Sequence, residues 1–223
     1  MLFKNKSVSF EIKSKYDTQK KTKASNFKLL NETMTLQGQT VLAGDSITEI
    51  FNDYELFYEW SKKNDCAVYN RGISGDTSNR LSERFYDNVL NISPRNIVLL
   101  IGTNDIGMGR KIEDIAKEIK GILEQIRSKS AETNVILEAV YPVNKNLSAE
   151  SRQMVGRRTN STIRELNALL KPLADSFDCV WLDLTEALSD ENGNLHKAYC
   201  YDGLHLNVNG FRIVAEHIIP LLK

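Results

Sequence analysis

The sequence predicts an α/β fold built on a parallel sheet with helices covering both faces. Three observations lead there. Short runs that are apolar throughout recur along the chain, segments with apolar stripes at helical spacing lie between them, and the two kinds alternate from residue 38 onward. A strand buried on both faces reads as a continuous apolar run, and its alternation with helices is the pattern of βαβ units.

The strand candidates are TVLA at 40–43, CAVY at 66–69, IVLLI at 97–101, VILEAV at 135–140 and VWLDL at 180–184. The clearest helix carries Ile112, Ile115, Ile119, Ile122, Leu123 and Ile126 at steps of three and four. Leu81, Phe85 and Val89 mark a second helix, and Ile163, Leu166, Leu170, Leu173 and Phe177 a third. A last helix is expected over 208–222, strained near its end by Pro220.

Residues 1–37 read as a lysine-rich N-terminal extension, and 38–223 as one folded domain. The extension has eight lysines against Glu11, Asp17 and Glu32, a net +5, so the remainder carries −5. Val8, Phe10 and Ile12 alternate with polar residues as in a short strand, and 13–23 reads as a loop or connector. The extension is expected to pack on the domain or on a partner subunit, and a homo-oligomer is compatible with it.

Lys+Arg and Asp+Glu are equal at 29 each, which argues against a polyanionic partner such as nucleic acid. No window reaches the length of apolar chain that spans a bilayer, and the early lysines are not followed by the apolar core of a secretory signal. The three scattered cysteines, Cys66, Cys179 and Cys200, fit reduced thiols in a cytoplasmic protein.

In parallel sheets, ligands gather beyond the carboxyl ends of the strands. The segments expected there are GDSIT from Gly44, NRGISGDTS from Asn70, GTNDIG from Gly102 and YPVN from Tyr141, with YDGLHLN from Tyr201 ahead of the last helix. Taken singly, each is explained by turn and capping chemistry. Together they supply every part of acyl transfer. Ser46 is placed as a nucleophile at a helix start, and His205 can act as its base. Asp202, three residues earlier, can hold the imidazole tautomer. The backbone N–H groups of Ser46 and Gly75 and the amide of Asn104 can receive the oxyanion. Asp45 reads as a turn-stabilising acid.

GDSIT with Ser46, GISGDT with Gly75, GTND with Asn104, and DGLHLN with Asp202 and His205 resemble, in order and spacing, the four blocks of the SGNH/GDSL hydrolases. The resemblance covers about residues 38 to 223 and is nearest to compact intracellular members, similar to platelet-activating-factor acetylhydrolase catalytic subunits and small bacterial acyl esterases. It implies a three-layer α/β/α sandwich with a central, mostly parallel five-stranded sheet, flavodoxin-like in layout. It also implies a serine esterase with Ser46, Asp202 and His205 as triad, and Ser46, Gly75 and Asn104 as oxyanion hole. Gly72 is the rival to Gly75 in the second block. No cofactor is implied and no metal; His196, His217 and Cys200 lack zinc-site spacing.

The expected substrate is a small-molecule or carbohydrate ester with a short acyl group, acetyl foremost. A lysophospholipid or thioester handled by the same triad is the alternative, and a non-catalytic binding module a further one. The loops after Asp105, Pro142 and Asp190 are candidate substrate-selecting surfaces, and Arg110, Tyr141 and Arg157 candidate contacts to a leaving group.

Overall fold

The computed structural model of the chain describes residues 2–223, and the side chains of residue 15 and of 17–223. In chain order its main elements are α1 (Leu2–Thr33), β1 (Thr40–Gly44), α2 (Ser46–Glu49), α3 (Asp53–Leu56), α4 (Tyr58–Asn64), β2 (Val68–Asn70) and α5 (Ser78–Asn88). Then come β3 (Asn96–Leu100), α6 (Thr103–Met108), α7 (Ile112–Lys129), β4 (Asn134–Glu138), α8 (Ala149–Val155), α9 (Asn160–Ser176), β5 (Val180–Leu182), α10 (Thr185–Leu188) and α11 (Val208–Ile218). The five expected strands are all present, with ends shifted by a residue or two. They form one sheet in the order β2-β1-β3-β4-β5, every pair parallel.

Alternate residues of each strand feed two cores. Val41, Ala43, Ile97, Leu99, Val135 and Leu137 face α5, α7 and α9, which contribute Leu81, Phe85, Ile119, Ile122, Leu166 and Leu170. Leu42, Val98, Leu100, Ile136 and Leu182 face the opposite layer, where α11 brings Phe211, Val214 and Ile218 and the α2 region brings Ile47 and Phe51. Each such side chain taken from water contributes roughly 1.5–3 kcal/mol, so the continuous apolar strands are the direct cause of the three-layer sandwich.

Three expectations need correction. The alternation at residues 8–12 does not make a strand, and residues 13–23 are not a loop: both lie inside α1. Five alternating residues are a weak signal, whereas the whole of 2–33 holds no glycine or proline and is rich in Lys, which favours helix. The final helix stops at Ile218 and tightens into a 3₁₀ turn at Ile219–Leu221, because Pro220 cannot donate the next helical hydrogen bond.

Helix α1 lies against α5. The Asn31 amide donates to the carbonyls of Asp87 and Asn88, both at 3.0 Å, and Asn88 donates back to the Ala24 carbonyl at 2.9 Å. Arg71 stacks over Phe27 and donates to Asn31 Oδ1 at 2.7 Å. Lys23 pairs with Glu49 at 2.6 Å, tying α1 to the end of α2. Among the described residues no helix is long and apolar enough to cross a membrane.

Glu138, at the end of β4, is fully enclosed and accepts a hydrogen bond from the Tyr141 hydroxyl, beside a void of about 10 Å³ lined partly by Thr48, Phe51 and Phe211. Burial pushes its carboxyl up from 4.5 to about 7, against the pull of the Tyr141 hydrogen bond. The unfolded chain therefore releases this proton first as pH rises, so Glu138 withdraws stability between the two values. Glu138→Gln is expected to gain about 3 kcal/mol relative to the parent between pH 4 and pH 8, measured by urea unfolding at both. A pH-independent difference would contradict the shift.

Candidate active site

The sheet order changes direction at β1: the chain moves outward to β2, then returns past β1 to β3. Such a switch point opens a crevice at the carboxyl ends of the two central strands. Register pairs Gly44 of β1 with Leu100 of β3, so the segments leaving them, Asp45–Ser46 and Gly102–Asn104, emerge side by side. Gly44 has to be small there, since a Cβ would lie 2.2 Å from Thr48 Oγ1 and 2.3 Å from the Leu100 carbonyl oxygen.

Asp45, not Ser46, caps α2. Its buried Oδ1 accepts the Ile47 N–H at 3.0 Å. Burial raises its carboxyl from 3.8 to about 7, only partly offset by that hydrogen bond and the nearby charge of Arg158. Ser46 is then the first helical residue, and its N–H is one of the donors a helix start leaves unpaired. Its hydroxyl turns to the last loop instead, with Oγ 2.9 Å from His205 Nε2.

His205 is held from the other side. Its Nδ1 lies 2.7 Å from Asp202 Oδ2, while Asp202 Oδ1 accepts the N–H groups of Leu204 at 3.0 Å and His205 at 2.8 Å. Burial by itself would raise the Asp202 carboxyl, but these hydrogen bonds from His205 and Leu204 win and hold it down at about 2. An ionised carboxylate only accepts, so Nδ1 carries the proton; Nε2 of the neutral ring is then the acceptor and Ser46 the donor. The loop is braced by β4's exit: Asn144 N–H donates to the Gly203 carbonyl at 2.8 Å, and Gly203 sits at φ +81° where a Cβ would lie 2.1 Å from the Asn144 oxygen.

The second block is sorted by what its glycines do. The Gly72 N–H is taken by Asn70 Oδ1 at 3.0 Å, and a Cβ there would lie 2.3 Å from the Glu49 nitrogen, so this glycine serves packing. Gly75 adopts φ +71°, and among the described residues its N–H has no acceptor. Its loop is fixed on both sides: Glu49 accepts the Ser74 N–H, and the buried Asp76 carboxylate binds Arg84 Nε at 2.8 Å. Asn104 Nδ2 donates to the Asp76 carbonyl at 3.0 Å and makes a longer contact, 3.3 Å, to Asp45 Oδ2.

Of the three suggested leaving-group contacts, two are engaged elsewhere. Tyr141 is buried on Glu138, which raises its hydroxyl further through desolvation and like charge, and Arg110 is bound to Asp105, Ser78 and Asn79. Arg157 stays exposed beside Gly109. Its neighbour Arg158, which drew no attention in the sequence, is buried and donates from Nη2 to Asn104 Oδ1 at 2.9 Å. Nothing in the pattern around it separates it from a surface arginine. Among the described residues no three His, Cys, Asp or Glu side chains gather in a way that could hold a metal ion.

Known proteins resemble the chain in sequence or in fold. A solved chain described as a candidate platelet activating factor from Streptococcus pneumonia superposes with a TM-score of 0.89 at 25% identity, over 97% of this chain and 99% of that one. An N-acylneuraminate cytidylyltransferase from Escherichia coli O18:K1:H7 is 33% identical over 184 residues, which is 80% of this chain. A GDSL esterase/lipase, WDL1, from Oryza sativa subsp. japonica is 26% identical over 167 residues, or 69% of this chain. The chain spans 41% and 64% of the lengths of these two curated relatives. The model of the GDSL-like lipase/acylhydrolase family matches residues 42–213, from inside β1 to inside α11 and so across every loop described above. By that match the chain belongs to the GDSL-like lipase/acylhydrolase family, a family of ester-hydrolysing enzymes.

Proposed function

We propose that the chain is a serine carboxylic ester hydrolase that removes short acyl groups, acetyl foremost, from a small-molecule or carbohydrate ester. The observation that carries this reading is the unbroken line from Ser46 Oγ to His205 to Asp202, at 2.9 and 2.7 Å. Ser46 Oγ attacks the carbonyl carbon as its proton passes to His205 Nε2. The ester C–O bond then breaks, and the leaving alcohol takes that proton. Water repeats the sequence on the acyl-enzyme, returning the acid and free Ser46.

Negative charge on the carbonyl oxygen is received by the N–H groups of Ser46 and Gly75 and by Asn104 Nδ2. The longer Asn104–Asp45 contact is the one such an oxygen would replace. Asn104→Ala is expected to lower kcat by roughly 10² to 10³ with a smaller change in KM. A near-normal kcat would remove Asn104 from this role.

The catalytic unit is taken as 38–223, with α1 laid against α5 on its flank. A short acyl group is favoured because β1 and β3 lead almost at once into α2 and α6, with no inserted segment there to hold a long chain. A carbohydrate leaving group is favoured by the relative whose name carries an acylated sugar acid. The free thiols Cys66, Cys179 and Cys200 support a reducing, cytoplasmic setting. The test is a series of p-nitrophenyl esters of rising chain length, run beside acetylated sugars and with fluorophosphonate labelling. Activity should be highest on acetyl, with one adduct at Ser46. Each methylene contributes about 1–3 kcal/mol in a fitted pocket, so a preference beyond about eight carbons would favour the lipid reading instead. Failure to label Ser46 would favour the binding module.

A further inference from the structure

We infer that Arg158 is a positioning residue for the oxyanion donor, acting through Asn104; this rests on the reading of Asn104 given above. A primary amide can rotate by half a turn and exchange its oxygen and nitrogen with little change in shape. A guanidinium has donors only, so the Asn104 atom it faces at 2.9 Å must be Oδ1. That fixes the plane and sense of the amide and turns Nδ2 toward the Asp45–Asp76 side, where the ester carbonyl would bind.

Arg158 is itself held too firmly to follow Asn104 if that side chain moved. Its Nε donates to the Thr103 carbonyl at 2.9 Å and to Thr103 Oγ1 at 3.1 Å, and its Nη1 to the carbonyls of Met154 at 3.2 Å and Val155 at 3.1 Å. The guanidinium thereby joins α6, which carries Asn104, to the end of α8. Room for it exists because position 107 is glycine: a Cβ there would lie 2.6 Å from Arg158 Cζ. A positive charge on Oδ1 also polarises the amide, which strengthens the hydrogen bond that Nδ2 gives to a developing oxyanion.

The test is a double-mutant cycle on p-nitrophenyl acetate hydrolysis, combining Arg158→Ala with Asn104→Ala, with thermal melting as the check on folding. Arg158→Ala alone is expected to lower kcat about 10- to 100-fold, the size seen when the support of a preorganised group is lost, with KM little changed. In the Asn104→Ala background the same change should cost less than about threefold, and added guanidinium should restore kcat only where Asn104 is present. Gly107→Ala suits the helix and displaces the guanidinium without removing it, so it repeats the cycle if Arg158→Ala does not fold. An equal loss in both backgrounds would overturn the assignment and leave the Asn104 reading intact. A near-normal kcat for Asn104→Ala alone would bring down both.

Discussion

Ser46→Ala is expected to lower kcat on p-nitrophenyl acetate by about 10⁴ to 10⁶ while leaving the melting temperature within a few degrees of the parent. The two halves of this expectation have separate causes. Activity falls because the oxygen that faces His205 Nε2 is removed, and water must then be activated without a covalent intermediate. Stability holds because the helix cap belongs to Asp45, so the Ser46 hydroxyl has no share in closing α2. What remains should be the modest catalysis that oxyanion donors and binding supply by themselves. Circular dichroism together with turnover decides the matter: substantial turnover in a folded variant would sink the mechanism.

Asp202→Asn should cost about 10³ to 10⁴ in kcat, through a different failure. The asparagine oxygen can still accept the N–H groups of Leu204 and His205 that shape the loop. Its amide nitrogen, however, would face His205 Nδ1 with a donor. The ring then answers by moving its proton to Nε2, which leaves Ser46 facing an N–H and no base. In the parent, the hydrogen bonds from His205 and Leu204 keep the Asp202 carboxyl at about 2, against the opposing effect of burial. Its stabilising contribution is thus present above the ordinary carboxylate value of 3.8 and is lost only as pH falls through about 2. The loss of activity in the variant should therefore be the same from pH 6 to pH 8, and a kcat within tenfold of the parent would contradict the role given to Asp202.

Much of this was legible because the signals were periodic or local. Five runs buried on both faces leave no choice but a parallel sheet between helix layers, and the loops GDSIT, GISGDT, GTND and DGLHLN each follow or precede an element whose type was readable. Gly75 was preferred to Gly72 only through the resemblance of its block, since the physical difference lies in who accepts their N–H groups. The alternation at residues 8–12 makes no strand because the 32-residue helix α1 runs through it without a glycine or proline to end it. Arg158 was invisible for a further reason. Its importance comes from meeting Asn104, 54 residues away, and no local spacing encodes a meeting of α6 with the end of α8.

The pairing of β1 with β3 has a consequence for how the site fluctuates. Ser46 and Asn104 leave adjacent strands of one hydrogen-bonded ladder, so their separation is set by a strand spacing of about 4.8 Å and is as durable as the centre of the sheet. Asp202 and His205 hang instead on a hairpin closed by the Cys200–Leu206 bridge and by the hydrogen bond from Tyr201 N–H to the His205 carbonyl at 3.0 Å. The spacing of Ser46 and Asn104 is thus inherited from the sheet, whereas that of Asp202 and His205 is inherited from one hairpin and its Asn144–Gly203 brace to the exit of β4.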